Sequence, residues 1–365
     1  MTTPPVVPET MRAWRVTRTG EPEEVLELHD VPVPAPGPGQ VLVRTSAVAI
    51  NFPDVLLARG QYQVRPEPPF VPGIELSGEV VAVGASPASA TDASGGTDAS
   101  AYAGAHAASD PGADASARAL AVGDRVVGSE IGVLSEYAVL PAEAVRLAPD
   151  ALDDEAAAAL TIAYQTAWFG LHRRAALQAG EWLLVHAAAG GVGVAAVQLG
   201  VAAGARVIGV VGSEAKAEVA RQAGAEVVLV RGRDDLVASV KEATGGHGVD
   251  VVFDPVGGDA YTASTKCIAL EGRIVVVGFA GGEIQQVAAN HALIKNYSVL
   301  GLHWALYQQQ RPDLVDEAHA ELVRLAAEGA IAPVVDVVPF ADAPAAVQRL
   351  AGGATTGRIV VRVAS

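Results

Sequence analysis

The residues best suited to chemistry in this chain sit together at Ala187-Ala188-Ala189-Gly190-Gly191-Val192-Gly193. An apolar run, Trp182-Leu183-Leu184-Val185-His186, stops at this cluster, and a helical pattern starts at once with Val194, Val197, Gln198, Leu199 and Val201. Strand, tight small-residue turn and helix make a place where a pyrophosphate can approach bare backbone. The helix start behind it offers free N–H groups and a partial positive charge. Ala189, Gly190, Gly191, Val192 and Gly193 are the expected contacts. Against G-x-G-x-x-G, Ala188 stands at the first glycine, while Gly190 and Gly193 fit. Taken alone, the turn also suits an ordinary strand–helix connection in an α/β protein.

A second group lies at the end of the next apolar run, Val210-Val211-Gly212-Ser213, followed by Glu214 and Lys216. Binders of NAD commonly place Asp or Glu at such a tip, on the ribose hydroxyls. No acid occupies the tip here. An acid would repel a 2′-phosphate, whereas small residues with a cation admit one. The alternative for Lys216 is a solvated lysine on a helix surface. Tyr62 is a candidate proton or hydrogen-bond donor to a reduced oxygen, or else a rim aromatic. His186 ends a strand, where satisfied structural histidines are common, and Cys267 in its apolar context reads as a buried inert thiol.

The elements that must position these groups follow from the rest of the chain. Its 365 residues suit two domains with real cores. With 41 acidic and 25 basic side chains the net charge is -16, and no basic cluster stands out, which argues against nucleic acid or an anionic membrane as partner. One cysteine excludes an intrachain disulfide framework and any multi-cysteine zinc site, and fits a cytoplasmic location. Apolar runs such as 204–211 and 274–280 are too short to span a bilayer. Residues 1–10 lack the pattern of a signal peptide and read as a flexible tail.

Residues 11–16 and 40–50 read as strands, 26–38 as an extended proline-rich segment, and 78–84 and 123–127 as short strands ended by glycine, the texture of a small β-rich domain. Between them, 86–119 is built of Ala, Ser, Gly, Asp and Thr and reads as a disordered insertion. His106 and the aspartates there have nothing to hold a metal geometry. From Asp150 the pattern turns to helices near 153–159 and 164–176. Strands at 182–186, 206–211, 226–230, 249–254 and 273–279 then alternate with helical segments, which predicts a doubly wound parallel sheet. Helices over 312–328 and 342–350 and a strand over 358–363 close the chain.

Five pieces taken together resemble the zinc-free quinone-oxidoreductase branch of the medium-chain dehydrogenase/reductase superfamily: NFPD at 51–54, PFVPGIELSG at 69–78, HAAAGGVG at 186–193, DVVFDPVGG at 250–258 and GRIVVVGFAGG at 272–282. The resemblance spans nearly all of 11–363 apart from the insertion. It implies an α/β fold with a GroES-like β-rich domain (11–151 and 292–365), a Rossmann domain (152–291), and a C-terminal segment returning to the first domain. Zinc-dependent relatives carry ligands where Asn51 and Ile74 stand here; Asn is a poor zinc ligand and Ile is none, so no metal is expected. Without a Lewis acid, reduction of a quinone or enone asks less than alcohol–carbonyl exchange.

The resemblance further places Lys216, with Gly212 and Ser213, on a 2′-phosphate, and sets Arg231 where a second cation would help. NADPH is the cofactor this implies. The relatives' C-terminal basic contact is not evident at Ala351-Gly352-Gly353. Asn51 and Thr166 correspond to residues near the nicotinamide, Gly278 and Phe279 to residues beside its ring, and His303-Trp304 to a substrate-cleft pair or seam packing. Asp54 reads as structural. The expected activity is NADPH-dependent reduction of quinones or related conjugated carbonyls. The alternatives are an enoyl-thioester reductase and an NADPH-binding or redox-sensing protein with little turnover. A homodimer through an exposed edge strand at 273–277 is the expected assembly.

Overall fold

The run Trp182–His186 forms a strand in the middle of a six-stranded parallel sheet. In spatial order the strands are Val227–Val230, Arg206–Val211, Trp182–His186, Val249–Asp254, Ile268–Val276 and Ser298–Gly301. Chain order reverses between Trp182–His186 and Val249–Asp254, which is where open α/β sheets bind their ligands. Strand periodicity explains the two covered faces. Leu183, Val185, Val251 and Phe253 pack with the helices Thr161–Trp168, Gly191–Ala202 and Pro312–Ala327. Trp182, Leu184, Ile208 and Val252 face the other way, toward Val240 and Tyr261 of the helices Leu236–Ala243 and Gly258–Cys267.

The computed structural model describes residues 7–84, 119–353 and 355–363. The expected insertion, apart from Ala119, and most of the expected tail lie outside the described residues. The described end of that tail is tied down: Thr10 opens the strand Thr10–Val16, and the Glu9 carbonyl accepts from Val33 N–H at 3.0 Å.

The second sheet has seven strands. Val335–Pro339, Arg358–Arg362, Gln40–Ala49, Leu76–Val83, Arg125–Gly128 and Val145–Leu147 run in that order, and Tyr137–Pro141 also pairs with Gln40–Ala49. Its core gathers Val41, Val43, Leu76, Val80, Val126, Leu140 and Val361. The fold is the α/β combination of a GroES-like domain and a Rossmann sheet.

Two readings are corrected. The strand containing 273–277 is not an edge: it pairs with Val249–Asp254 on one side and Ser298–Gly301 on the other. The edge is Ser298–Gly301, whose Ser-Val-Leu-Gly is too short for periodicity to reveal. The chain also does not return to the first sheet from residue 292. Ser298–Gly301 extends the parallel sheet, and Leu314, Val315, Ala318 and Leu322 of Pro312–Ala327 join that sheet's core. The return to the seven-stranded sheet starts at Val335. The helix expected over 164–176 runs Thr161–Trp168 and continues as a wider π-turn, Phe169–Arg174.

Candidate active site

The glycine-rich turn lies at the switch point, between Trp182–His186 and the helix Gly191–Ala202. A Cβ on Gly193 would lie 2.1 Å from the Ala187 carbonyl oxygen, so only glycine lets the helix begin this close to the turn. Ala188 is tolerated at the first-glycine position because the neighbouring strand gives way. A Cβ on Gly209 would come within 3.0 Å of the Ala188 methyl. Across the switch point, the chain leaves Ile268–Val276 through Gly278 and Phe279. Val277 N–H bonds to the Asp254 carbonyl at 2.9 Å and Ala280 N–H to the Pro255 carbonyl at 3.0 Å. Phe279, 40% exposed, stands beside Gly257 and offers an open ring face next to the cleft.

At the end of Arg206–Val211, Gly212 and Ser213 are exposed, and the Ser213 hydroxyl caps nothing on the helix Glu214–Gln222. The Arg231 guanidinium lies 3.5 Å from where a Gly212 Cβ would be. The acids nearby are occupied: Glu214 pairs with Arg233, and Arg233 also pairs with Asp234 at 2.8 Å. Lys216 Nζ donates to the Gly353 carbonyl at 2.8 Å, which leaves two ammonium protons for another partner. The C-terminal loop therefore meets a cation after all, supplied by Lys216. Arg231 thus lies beside Gly212, and Lys216 follows Ser213 in the first turn of Glu214–Gln222.

Asn51 lies at the seam between the sheets, with Glu75 and Arg358. Arg358, 6% exposed, opens the closing strand. It donates to Asn51 Oδ1 at 2.7 Å and makes a short ion pair with the fully buried Glu75. Asn51 Nδ2 donates to Glu75 Oε2 and to the Ala49 carbonyl, each at 3.0 Å. The amide protons of Asn51 are thus committed, its oxygen accepts from Arg358, and the residue also closes a capping box with Asp54. Glu75 Oε1 accepts from Ile162 N–H at 2.7 Å, in the first turn of the helix that carries Thr166. Arg358 also lies against the glycine-rich turn. A Cβ on Gly191 would come within 2.4 Å of Arg358 Cδ, and Gly357 N–H bonds to the Ala189 carbonyl at 2.8 Å. Arg358 Nε is buried without a partner.

Burial pushes the Glu75 carboxyl up, opposed first by the Arg358 charge and then by the Asn51 amide. Asp54, 2% exposed, accepts from Asn51 N–H at 2.7 Å and from Gly73 N–H at 3.1 Å. Burial pushes it up to about 7. Those two backbone bonds fit its structural reading. Tyr62 is half-buried in the loop beyond the helix Phe52–Ala58. Burial, then the Asp54 charge, raises its phenol, so it keeps its proton. No hydrogen bond joins that phenol to Asn51, Glu75 or Arg358 among the described residues. Trp304 is buried and donates to Gln165 Oε1 at 2.9 Å, whereas His303 is exposed. His186 is buried with Nε2 2.8 Å from Ser264 Oγ. Cys267 is 1% exposed, and burial pushes its thiol up to about 11.

Residues 37–150 match the alcohol dehydrogenase GroES-like domain family, and residues 191–320 match the zinc-binding dehydrogenase family. Quinone oxidoreductase-like protein 2 from Bos taurus is 35% identical over 329 residues, covering 90% of this chain and 86% of the relative. A mycobacterial structure complexed with NADPH has a TM-score of 0.82 at 32% identity, covering 97% of this chain and 100% of that one. The Escherichia coli quinone oxidoreductase complexed with NADPH has a TM-score of 0.79 at 29% identity, covering 96% and 100%. The chain belongs to the quinone oxidoreductase branch of the medium-chain dehydrogenase/reductase superfamily, a family of oxidoreductases.

Zinc, which one family description names, does not fit the residues here. Among the described residues no three His, Cys, Asp or Glu side chains gather as a metal set. Of the two buried carboxyls beside Asn51, Glu75 is bound to the Arg358 guanidinium and Asp54 to two backbone N–H groups.

Proposed function

We propose that this chain is an NADPH-dependent, zinc-independent reductase of quinones or related conjugated carbonyls. The observation that carries the reading is the pairing of a dinucleotide turn with a seam whose polar groups are the Asn51 amide, the Glu75–Arg358 pair and the Asp54 carboxyl. None of these forms a metal site. Ala189, Gly190, Gly191, Val192 and Gly193 would receive the pyrophosphate on backbone N–H groups. Gly212, Ser213, Lys216 and Arg231 would hold the 2′-phosphate, and Gly278 and Phe279 would flank the nicotinamide. NADPH held there would supply a hydride. Asn51, held by Glu75 and Arg358, would stand at the nicotinamide end of the site. Thr166 is held at the same seam by its helix. Tyr62 retains a proton to give to the oxygen of a reduced acceptor. Catalysis by such a set is positioning.

The test is NADPH consumption against benzoquinones, naphthoquinones, enones and crotonyl thioesters. Turnover of the quinones or enones supports the reading. Turnover of thioesters alone would make the chain an enoyl-thioester reductase, and binding without turnover would make it an NADPH-binding protein.

We further infer a homodimer, and a cytoplasmic location on the single cysteine of the chain. No described helix is long and apolar enough to cross a membrane. The unpaired edge Ser298–Gly301 stands near Leu293 and Ile294, which are 78% and 75% exposed, and Leu270 is 71% exposed. A second copy pairing at this edge covers both the strand and the apolar side chains. Light scattering at micromolar concentration tests it; a monomer would remove the inference.

A further inference from the structure

Glu75 has no exposed surface, and its two oxygens serve three different segments. Oε2 takes the Asn51 amide and the Arg358 guanidinium; Oε1 takes Ile162 N–H. Asn51 begins the helix Phe52–Ala58, Ile162 lies in the first turn of the helix carrying Thr166, and Arg358 presses on Gly191 of the glycine-rich turn. These segments lie up to 283 positions from Glu75 in sequence. We propose that Glu75 is the positioning residue of the seam: a single carboxylate that sets Asn51, Thr166 and the glycine-rich turn in one register.

The amide of Asn51 shows what this does. An Asn side chain can turn over by exchanging its oxygen and nitrogen. Here an acceptor, Glu75, faces Nδ2 and a donor, Arg358, faces Oδ1, so only one orientation satisfies both. Loss of the carboxylate would free the amide to turn, release the first turn of the Thr166 helix and leave Arg358 a buried cation without its counter-ion.

This inference rests on the functional reading above, and its test separates the two. The full chain is compared with Glu75→Asp and with the double variant Glu75→Gln/Arg358→Met. NADPH affinity is read by fluorescence titration, stability by thermal melting, and quinone turnover well below each melting temperature. Glu75→Asp keeps the buried charge balance but withdraws the carboxylate by one methylene, beyond reach of all three partners at once. Its kcat at saturating NADPH is expected to fall about tenfold or more. The double variant removes both charges and so keeps a foldable seam, and its kcat is likewise expected to fall about tenfold or more. A purely structural Glu75 would change melting temperature while leaving kcat of the folded protein intact. Wild-type kcat in either variant therefore overturns the proposal. A wild-type chain that binds no NADPH overturns the functional reading itself.

Discussion

The cofactor end and the seam are built on opposite principles. At the end of Arg206–Val211 the cations are at or near the surface, and the neighbouring acids are taken up by Arg233. At the seam, Glu75 is fully buried and Arg358 is 6% exposed, and nearly every polar atom already has a protein partner. The first region is arranged to receive charge, and its members are held weakly enough to exchange partners with a ligand. The second is arranged to stay closed, because a buried charge that loses its partner is costly. Altering the cofactor end should therefore change affinity, and altering the seam should change stability and kcat together.

The largest effect is expected from Arg358→Met. It leaves Glu75 buried and unpaired, at a cost of about 3–5 kcal/mol. Burial already holds the folded carboxyl above its ordinary 4.5, and Arg358 is the main pull in the other direction. Without it the folded value rises further. The protonated form then carries the stability, which is lost as pH rises through that raised value. Urea melts at pH 5 and pH 8 should show a larger deficit at pH 8; equal deficits would break the contrast drawn here.

Next comes Lys216→Ala. Charge-assisted bonds of this kind contribute about 1.5–3 kcal/mol, so NADPH affinity should fall roughly ten- to a hundredfold. NADH affinity and melting temperature should hold, since Lys216 is only partly buried and its one recorded bond is to the Gly353 carbonyl. Equal losses for both cofactors would show that Lys216 does not read the 2′-phosphate.

Gly193→Ala sits between the two regions. Its methyl would meet the Ala187 carbonyl, and overpacking of that sort costs about 1–3 kcal/mol. Both NADPH affinity and melting temperature should drop, measured by titration and calorimetry on one preparation. The smallest effect belongs to Arg324→Gln. Its bonds to Glu321 and Glu328 are at the surface, and the change in stability should stay within about 1 kcal/mol, with turnover unaltered.

The same contrast explains what the sequence made legible. The proposed cofactor end is local: Gly190 and Gly193 show by their spacing after a recognisable strand, and Gly212, Ser213 and Lys216 follow the next one, where family resemblance gives them their role. The helix Pro312–Ala327 was equally plain from its three- and four-residue apolar steps. The seam is not local. Glu75 was visible only as the neighbour of Ile74, and Arg358 only as the first residue of a closing strand. Their pairing depends on how two sheets meet, which no window of sequence contains. The edge strand Ser298–Gly301 was missed for another reason: four residues carry too little pattern to mark a strand.

The central claim is a hydride transfer that depends on NADPH and needs no zinc. The most direct measurement is kcat/KM for NADPH and for NADH with one naphthoquinone, after extensive dialysis against a chelator. The account predicts undiminished turnover and a preference for NADPH of about tenfold or more, the equivalent of one charge-assisted bond. Equal use of the two cofactors, or activity lost to the chelator and restored by zinc, would contradict it.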